Sequence, residues 1–445
     1  MLSVSFVRPR CATLVEQMST SAPIERSGKP GNNGLNAAIV AQQASSPGLR
    51  ECLQWVQREK QWINDRHLQL CRVPAPTFFE QKRAEWMIEQ FRALGFDAQL
   101  DRAGNVLANA NPSYNGPVIA LTAHLDTVLA PRTSEEISVT PDGTFHGPGV
   151  SDNGAGLTAL LAVAGALRSS PAASELPVML VANVGEEGEG NLSGMRYLCK
   201  QSPLASRIKS FLILDGPNTD HITWQALASR RFDVTISGPG GHSWSDYGIG
   251  NPVHAISRAI TLFADKGGQN GSSSPRSSFN FGIVEGGSSI NSIPSSARTK
   301  VDIRSESPAR INELATFLTA CVEKALEVEN DRATNGKVSG KIKEIGSRPG
   351  GQLPENAYVL GVLRAVDTHL GIRSRLDCAS TDANIPLSIG MPAVSIGAGG
   401  QGGGAHTYGE WFHPDGREFG LRRILLALSL LAREAGFTVN GAGQG

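Results

Sequence analysis

The sequence predicts an α/β protein in which helices cover a mostly parallel sheet, with an antiparallel α+β domain inserted into the chain. In the first and last parts of the chain, helical patterns alternate with short strands that are apolar on both faces. Such strands are typical of a parallel sheet buried between helices. Between about residues 222 and 345 the strands instead alternate apolar and polar residues, which indicates an antiparallel sheet with one exposed face.

We therefore expect four segments along the 445 residues. They are an N-terminal tail at 1–35, the first part of the α/β domain at 36–220, the inserted α+β domain at 221–335, and the second part of the α/β domain at 336–445. The tail is rich in Ser, Gly and Asn near its end and carries Arg8 and Arg10 before its first acid, Glu16. A disordered tail fits this composition, and a transit peptide is an alternative.

The elements of the first part follow from hydrophobic periodicity. Helical patterns cover about residues 37–69, 77–95, 154–168 and 192–200. Strand patterns cover residues 97–100, 105–108, 118–123, 176–183 and 211–214. The second helix is expected to end at Gly95, since glycine adopts the left-handed conformation that closes many helices.

The elements of the inserted domain and of the last part are read in the same way. In the insertion, helices are predicted at 251–264 and 308–328, and strands at 231–237, 279–284, 297–304 and 338–345, with a Gly/Ser loop at 267–278. In the last part, helices are predicted at 357–370 and 418–434, and a short strand at 394–396.

Composition and charge exclude several classes of protein. The 41 basic residues balance the 41 acidic ones, so neither nucleic acid nor an anionic membrane surface is an expected partner. No run of about 18 apolar residues predicts a membrane-spanning helix. The six cysteines are scattered without a CxxC pair, which favours a reducing compartment, and we expect the cytoplasm.

Acidic and histidine residues follow the predicted strands or lie in Gly-rich turns. They are His124 with Asp126, Asp152, Glu186 with Glu187, Asp215, and His406. Each alone has an ordinary explanation: a surface HxD pair, a helix N-cap at Asp152, or a solvated acidic loop. Because ligands bind at the carboxyl ends of parallel strands, we expect these side chains to converge. Two histidines and three carboxylates suit a pair of Zn²⁺ ions, with one further carboxylate left as a general base.

Several stretches of the chain resemble the M20 metallopeptidases, a family of zinc-dependent exopeptidases and amidohydrolases. The stretches are AHLDTV, GPGVSDNGAG, GEEGEGNLSGMRYL, LDGP, SGPGGHSW, NSIPSSARTKVDIR, STDAN and AHTYGEW. They follow the order of the family over about residues 50–435. The resemblance implies a zinc-exopeptidase fold with two Zn²⁺ ions per chain, for which Co²⁺ or Mn²⁺ are alternatives.

The resemblance also implies a role for each metal ligand. His124 and Asp215 resemble the ligands of the first zinc, Asp152 the ligand that bridges both ions, and Glu187 and His406 the ligands of the second zinc. The family often has a cis peptide bond after the bridging aspartate, which here is Asp152.

The remaining roles concern catalysis and substrate binding. Asp126 resembles the carboxylate that orients the first histidine, and Glu186 the general base. In the inserted domain, His242 resembles the residue that stabilises the oxyanion, and Asn291 and Arg304 resemble contacts to the substrate terminus. Alternatives remain open: His242 as a surface histidine, Asn291 as a turn residue, and Arg304 as half of an ion pair. The resemblance implies that the inserted domain at 221–335 corresponds to the lid of the family's catalytic domain, and this lid usually also forms the dimer contact. We therefore expect a homodimer through this domain.

Asp215 bears on the expected substrate, since in the family an aspartate at this position accompanies aminopeptidases and dipeptidases. We therefore expect metal-dependent hydrolysis of short peptides, of the aminopeptidase, dipeptidase or tripeptidase type. An N-acyl amino acid deacylase or carboxypeptidase with the same metal site is the alternative. Two other classes are a phosphate-binding protein, suggested by Gly397–Gly404 but lacking the Lys-Ser/Thr of a phosphate loop, and a non-catalytic homologue that acts as a binding module.

Overall fold

The computed structural model of the protein describes residues 35–267 and 275–434. The expected N-terminal tail, except its last residue, and most of the predicted Gly/Ser loop lie outside the described residues. The helices are α1 (Ala37–Ala44), α2 (Pro47–Arg58), α3 (Lys60–Cys71), α4 (Gln81–Ala93), α5 (Gly154–Arg168), α6 (Pro171–Ser174), α7 (Ser193–Lys200), α8 (Pro252–Gly267), α9 (Pro308–Arg332), α10 (Tyr358–Leu370), α11 (Asn384–Ser388) and α12 (Arg417–Glu434).

The strands fall into a large sheet and smaller antiparallel ones. They are β1 (Ala98–Leu100), β2 (Val106–Asn109), β3 (Val118–His124), β4 (Ser138–Val139), β5 (Phe145–His146), β6 (Val178–Asn183), β7 (Ile208–Leu214), β8 (His221–Ala226), β9 (Ala228–Ser237), β10 (Gly241–His242), β11 (Ser277–Gly286), β12 (Ser292–Ile293), β13 (Ser296–Ser305), β14 (Ser339–Arg348), β15 (Gly351–Gln352), β16 (Arg375–Ala379), β17 (Ala393–Ile396), β18 (Gln401–Gly403) and β19 (Trp411–His413).

The large sheet has the order β1-β2-β6-β3-β7-β17-β8-β15, and β16 pairs with β8 beside it. Its centre is parallel: β3 pairs in parallel with β6 and β7, and β7 with β17. Every residue of β3, β6 and β17 is buried, because helices cover both faces of a parallel sheet. The predicted α/β class is therefore confirmed.

The second large sheet is antiparallel, with the order β11-β13-β9-β14. Residues of β13 alternate between buried and more exposed positions, since α8 and α9 pack on one face and the other face meets solvent. Its core includes Phe263, Val301, Ile303 and Leu318. An antiparallel α+β unit is therefore present between two stretches of the α/β fold, as the sequence predicts.

Two strands belong to other sheets than the expected segment boundaries at residues 221 and 335 imply. β8, which begins at His221, pairs with β15, β16 and β17 of the large sheet. β14, which runs to Arg348, pairs with β9 of the antiparallel sheet along its whole length. The chain thus enters the antiparallel sheet at Ala228 and leaves it after Arg348.

Helix α5 connects the core to the residues that follow β3. Asn153 caps its N-terminus by accepting a hydrogen bond from the N–H of Gly156 at 3.1 Å. Every residue from Gly154 to Leu167 is buried, so the helix is apolar all round. Because α5 packs against β3, β6 and β7, its N-terminus is fixed at their carboxyl ends.

The structure differs from the expected helix over residues 37–69, which is divided into α1, α2 and α3. Pro47 starts α2 at its first position, where the missing N–H of proline costs nothing. The expected end of the next helix is confirmed, since Gly95 has a φ of +83° directly after the C-cap of α4.

Two general expectations concern membranes and thiols. Over residues 35–267 and 275–434, none of the helices combines the length and the apolarity needed to cross a membrane. Cys52, Cys71, Cys199, Cys321 and Cys378 are free thiols.

Leu160 tests how far the stability of the fold depends on α5. We expect Leu160→Ala to lower the free energy of unfolding by about 2–5 kcal/mol, because the leucine is fully buried and its loss leaves a cavity. Urea denaturation followed by circular dichroism measures the change. Leu100→Ala is the matched control, since Leu100 is 45% exposed. A loss for Leu160→Ala no larger than that of the control would contradict the prediction.

Candidate metal centre

The candidate site forms where three parallel strands end side by side. β3 ends at His124, which is in register with Asn183 at the end of β6. β7, on the other side of β3, ends at Leu214, one residue before Asp215. The strand ends therefore bring His124, Asp215 and the Glu186–Glu187 loop to one edge of the sheet, as expected for parallel strands.

The first group that could hold a cation consists of His124, Asp152 and Asp215. Nε2 of His124 lies 3.1 Å from Oδ1 of Asp152 and 3.8 Å from Oδ1 of Asp215. Asp152 reaches this position from the loop before α5, and the peptide bond between Asp152 and Asn153 is cis. An imidazole with two carboxylates is a ligand set that Zn²⁺ accepts.

The second group consists of Asp152, Glu187 and His406; a third combination that could hold a cation, His124 with Glu186 and Glu187, shares a residue with each of these two groups. Nε2 of His406 lies 3.1 Å from Oδ2 of Asp152 and 3.0 Å from Oε1 of Glu187. The two oxygens of Asp152 thus face different histidines, one in each group. His406 has a φ of +65°, a left-handed conformation that is uncommon for residues other than glycine and often found at functional sites.

Asp126 holds the loop of Glu186 and Glu187 in place through hydrogen bonds. Its fully buried carboxylate accepts hydrogen bonds from the backbone N–H groups of Glu186 and Glu187, each at 2.9 Å, and from the hydroxyl of Thr77 at 3.0 Å. Nδ1 of His124 is 2.9 Å from the backbone oxygen of Asp126 and 3.6 Å from its Oδ1. The main-chain oxygen is therefore the nearer acceptor for this histidine, and a backbone carbonyl orients an imidazole as well as a carboxylate does.

Glu186 is buried beside the two groups and pairs with an arginine. Nη1 of Arg348 donates to Oε1 of Glu186 at 3.0 Å and is also 3.0 Å from the Ser380 hydroxyl. A second nitrogen of Arg348 donates to the backbone oxygen of Glu186. Burial raises the pKa of Glu186 well above its ordinary range, although the guanidinium of Arg348 opposes this change. A carboxyl group with a raised pKa suits acid–base catalysis near neutral pH.

The groups open into a cleft of about 310 Å³. Arg304, on β13 of the antiparallel sheet, lines this cleft together with Arg231 and Arg348. Asp302 pairs with two of these arginines, at 2.7 Å from Nε of Arg304 and 3.0 Å from Nε of Arg231. Acids and arginines thus line the same cleft, so a bound molecule would meet charges of both signs.

His242 and Asn291 are close to each other but are not among the residues that line the cleft. β10 and β12 pair antiparallel, and the N–H of Ser243 donates to the backbone oxygen of Asn291 at 2.9 Å. Nδ1 of His242 accepts hydrogen bonds from the N–H groups of Trp244 and Ser245, each at 3.3 Å. Both side chains are exposed, and their predicted roles stay predictions.

Asn153 and Arg348 belong to the site and were not predicted from the sequence. The amide of Asn153 donates to the backbone oxygen of Leu214 at 2.9 Å and accepts from the N–H of Gly216 at 3.2 Å. It therefore ties the Asp152 loop to the end of β7. Arg348 ends a strand of the antiparallel sheet and resembles any strand-end arginine in the sequence, so only the fold identifies either residue.

Asp382 is a further buried acid near the site. Its Oδ2 accepts a hydrogen bond at 2.7 Å from the amide of Asn183, the last residue of β6. Burial raises the pKa of Asp382 to about 7. The STDAN stretch marks this position in the sequence, but nothing in its spacing predicts a contact with β6.

The sequence profile of Peptidase family M20/M25/M40 matches residues 120–429. The chain belongs to this family. The matched range spans every residue of both candidate metal groups, from His124 to His406.

The curated relatives that this chain matches are distant in sequence. It is 24% identical to the cytosol non-specific dipeptidase of Escherichia coli over 363 residues, which is 70% of this chain and 73% of that protein. It is 29% identical to a protein of Aspergillus oryzae named probable carboxypeptidase over 248 residues, 51% of this chain and 55% of that one. The chain thus spans about half the length of several curated relatives that it matches.

Solved structures similar to this chain align with it over nearly their whole length. A tripeptidase from Staphylococcus aureus aligns with a TM-score of 0.69 and 21% identity over 84% of this chain and 99% of that one. A Bacillus subtilis protein described as a dinuclear metal binding peptidase aligns with a TM-score of 0.62 and 15% identity over 85% and 99%. These likenesses concern the fold.

His406 tests whether the two groups bind cations separately. We expect His406→Ala to weaken one bound cation and leave the other, because His406 belongs only to the second group whereas His124 and Asp215 remain. Isothermal titration with Zn²⁺, checked by metal analysis after dialysis, measures the stoichiometry. His254→Ala is the matched control, since its side chain is 56% exposed against 53% for His406. Unchanged binding of both cations in His406→Ala would contradict the assignment.

Proposed function

We propose that this protein hydrolyses peptide bonds of short peptides with the help of two divalent cations, with Zn²⁺ as the native metal. The observation that carries the proposal is the position of Asp152, whose two carboxylate oxygens each lie 3.1 Å from a different histidine. A carboxylate shared in this way is suited to bridge two cations. The names of the Escherichia coli dipeptidase and the Staphylococcus aureus tripeptidase support the choice of short peptides.

The proposed ligands fit the chemistry of zinc. His124 and Asp215 would hold one ion, Glu187 and His406 the other, and Asp152 both, which gives each ion three protein ligands and leaves room for water or substrate. When bound, the ions would lower the pKa of a water molecule and polarise the carbonyl oxygen of the substrate.

Glu186 acts as the general base in this proposal. Its carboxylate takes a proton from the attacking water as the new C–O bond forms at the peptide carbonyl carbon. It then gives that proton to the leaving nitrogen as the C–N bond breaks, so the proton count balances. The pKa of Glu186, raised by burial, suits a group that must both accept and release a proton.

We propose that the lid is the antiparallel unit with its helices, from about Ala228 to Arg348. This shifts the expected boundaries of 221–335, because β8 pairs with the large sheet and β14 with the antiparallel one. Arg304 would contact a substrate carboxylate in the cleft. His242 and Asn291 do not line the cleft, so they would act there only if the lid moves or if they reach the cleft of a second copy. The second possibility would require a homodimer.

Exposed apolar residues of the lid support the dimer. Trp244 is 87% and Tyr247 85% exposed, and Val284 on the edge strand β11 is 58% exposed. Exposed edge strands and apolar side chains favour pairing with another chain. For the compartment we propose the cytoplasm, which suits the free thiols.

The alternative is a carboxypeptidase or N-acyl amino acid deacylase with the same metal ligands. The Aspergillus oryzae relative, named probable carboxypeptidase, and the arginines of the cleft favour it. A panel of dipeptides, tripeptides, peptides blocked at either end and N-acetyl amino acids, each with added Zn²⁺, Co²⁺ or Mn²⁺, separates the two. Cleavage that requires a free amino terminus supports the first proposal. Cleavage of N-acetyl amino acids alone supports the alternative, and no metal-dependent cleavage contradicts both.

Glu186→Gln tests the role of the base. We expect it to retain both cations and to lower kcat by about 10²- to 10⁴-fold, because glutamine keeps the shape of glutamate but cannot accept a proton from the attacking water at neutral pH. Turnover of the best peptide and metal content are measured on the same sample. Glu189→Gln is the matched control, since Glu189 lies on the same loop with a side chain 73% exposed. A Glu186→Gln variant as active as this control would remove Glu186 from the mechanism.

A further inference from the structure

Glu410 is a buried acid four residues after His406, and its side chain contacts the loop that carries Asp152. Oε1 of Glu410 accepts hydrogen bonds from the backbone N–H groups of Ser151 and Asp152, each at 2.7 Å, and from the Ser151 hydroxyl at 3.0 Å. Oε2 accepts from the N–H of Gly149 at 2.7 Å. Four donors therefore point at one carboxylate that is only 3% exposed.

This arrangement requires a carboxylate and not merely a polar side chain. An ionised carboxylate accepts hydrogen bonds at both oxygens, whereas a glutamine amide offers one acceptor and two N–H donors. In place of Glu410, a glutamine would turn its NH₂ group either toward the N–H of Gly149 or toward the donors of Ser151 and Asp152. Hydrogen bonds to a charged acceptor are also about twice as strong as neutral ones.

Backbone hydrogen bonds also join the segment of Glu410 to the segment that precedes Asp152. The carbonyl oxygen of Glu410 accepts a hydrogen bond from the N–H of Gly147 at 3.0 Å, and β19, which begins at the next residue, pairs with β5. The turn that carries His406 is thereby attached to the residues just before Asp152, which lie more than 250 positions earlier in the chain.

The two candidate cation groups differ in how much they depend on this attachment. His124 ends a central strand and Asp215 follows another, so both are fixed by the large sheet. His406 instead lies on a turn between β18 and β19, outside the large sheet, in a left-handed conformation. Glu410 contacts the backbone of Asp152 directly and shares the turn of His406.

We propose that Glu410 is a positioning residue that sets the placement of Asp152 relative to His406, and thereby the affinity of the second cation group. It touches neither the substrate nor the cations. The proposal rests on the proposed function for the identity of the bound metal, but its readout is metal binding and not hydrolysis.

Glu410→Gln tests the proposal. Binding of Co²⁺ to the full chain is measured by isothermal titration and by visible absorption, which reports the ligand geometry of Co²⁺. The wild type is expected to bind two ions. The variant is expected to bind one ion about 10- to 100-fold more weakly, the usual effect of removing a group that orients metal ligands, with an altered spectrum for that ion; the other ion, which shares Asp152 but keeps His124 and Asp215, is expected to weaken less. Thermal unfolding without metal confirms that the variant is folded.

Two further variants keep the test decisive. Ser151→Ala removes one of the four hydrogen bonds and is expected to weaken the same ion by less than Glu410→Gln does. Glu313→Gln is the matched control for an acid-to-amide change, because Glu313 is 62% exposed on α9 and pairs with Arg310 at 2.9 Å; it is expected to bind both ions as the wild type does.

Every other result overturns either the positioning role of Glu410 or the proposed function. Wild-type affinities and spectrum in Glu410→Gln would overturn the positioning role, as would equal weakening of both ions together with a lower Tm, which would indicate general destabilisation. A wild-type chain that binds no Co²⁺ would overturn the proposed function itself, and this result is read before any variant is compared.

Discussion

Repulsion between acids in a buried cleft is the constraint that shapes the centre of this molecule. Asp126, Asp152, Glu186, Glu187 and Asp215 all lie at the carboxyl ends of β3, β6 and β7 or in the loops beside them. Two like charges about 4 Å apart oppose each other by about 4 kcal/mol at an effective dielectric constant of about 20. Several such pairs would exceed the stability of a typical domain, so each acid needs its own compensation.

The compensation is specific to each side chain. Asp126 is held by two amide N–H groups, and Glu186 by the guanidinium of Arg348. Asp152 and Glu187 contact histidine nitrogens, which become metal ligands when they are neutral. In the proposed site, the acids that face the histidines would hold the cations, whereas the acids paired with amides and arginine would support them or take part in acid–base catalysis. These contacts distinguish Glu187, a proposed ligand, from its neighbour Glu186 in the same loop.

The sequence predicts the parts of this arrangement that depend on local pattern. Uninterrupted apolar runs identify β3 and β6, glycine and apolar residues identify α5, and the acids that follow the strands identify the edge where the site forms. Contacts between distant segments are beyond such patterns. Arg348 and Glu410 each look like an ordinary surface charge until β14 and the β18–β19 turn are placed in space. The short strands β5 and β19 escape prediction for a different reason, since two or three residues carry no periodicity.

The order of strands in the large sheet has a consequence for synthesis on the ribosome. β17 lies between β7 and β8, although the entire lid separates it from both in the chain. The edge of β7 therefore has no neighbour on that side until the residues of β17 have emerged, by which time the antiparallel unit is complete. Unpaired apolar edges invite aggregation during folding. A nascent chain of this protein thus exposes that edge of β7 until β17 has emerged, and His406, which comes later still, can join the cleft only after that point.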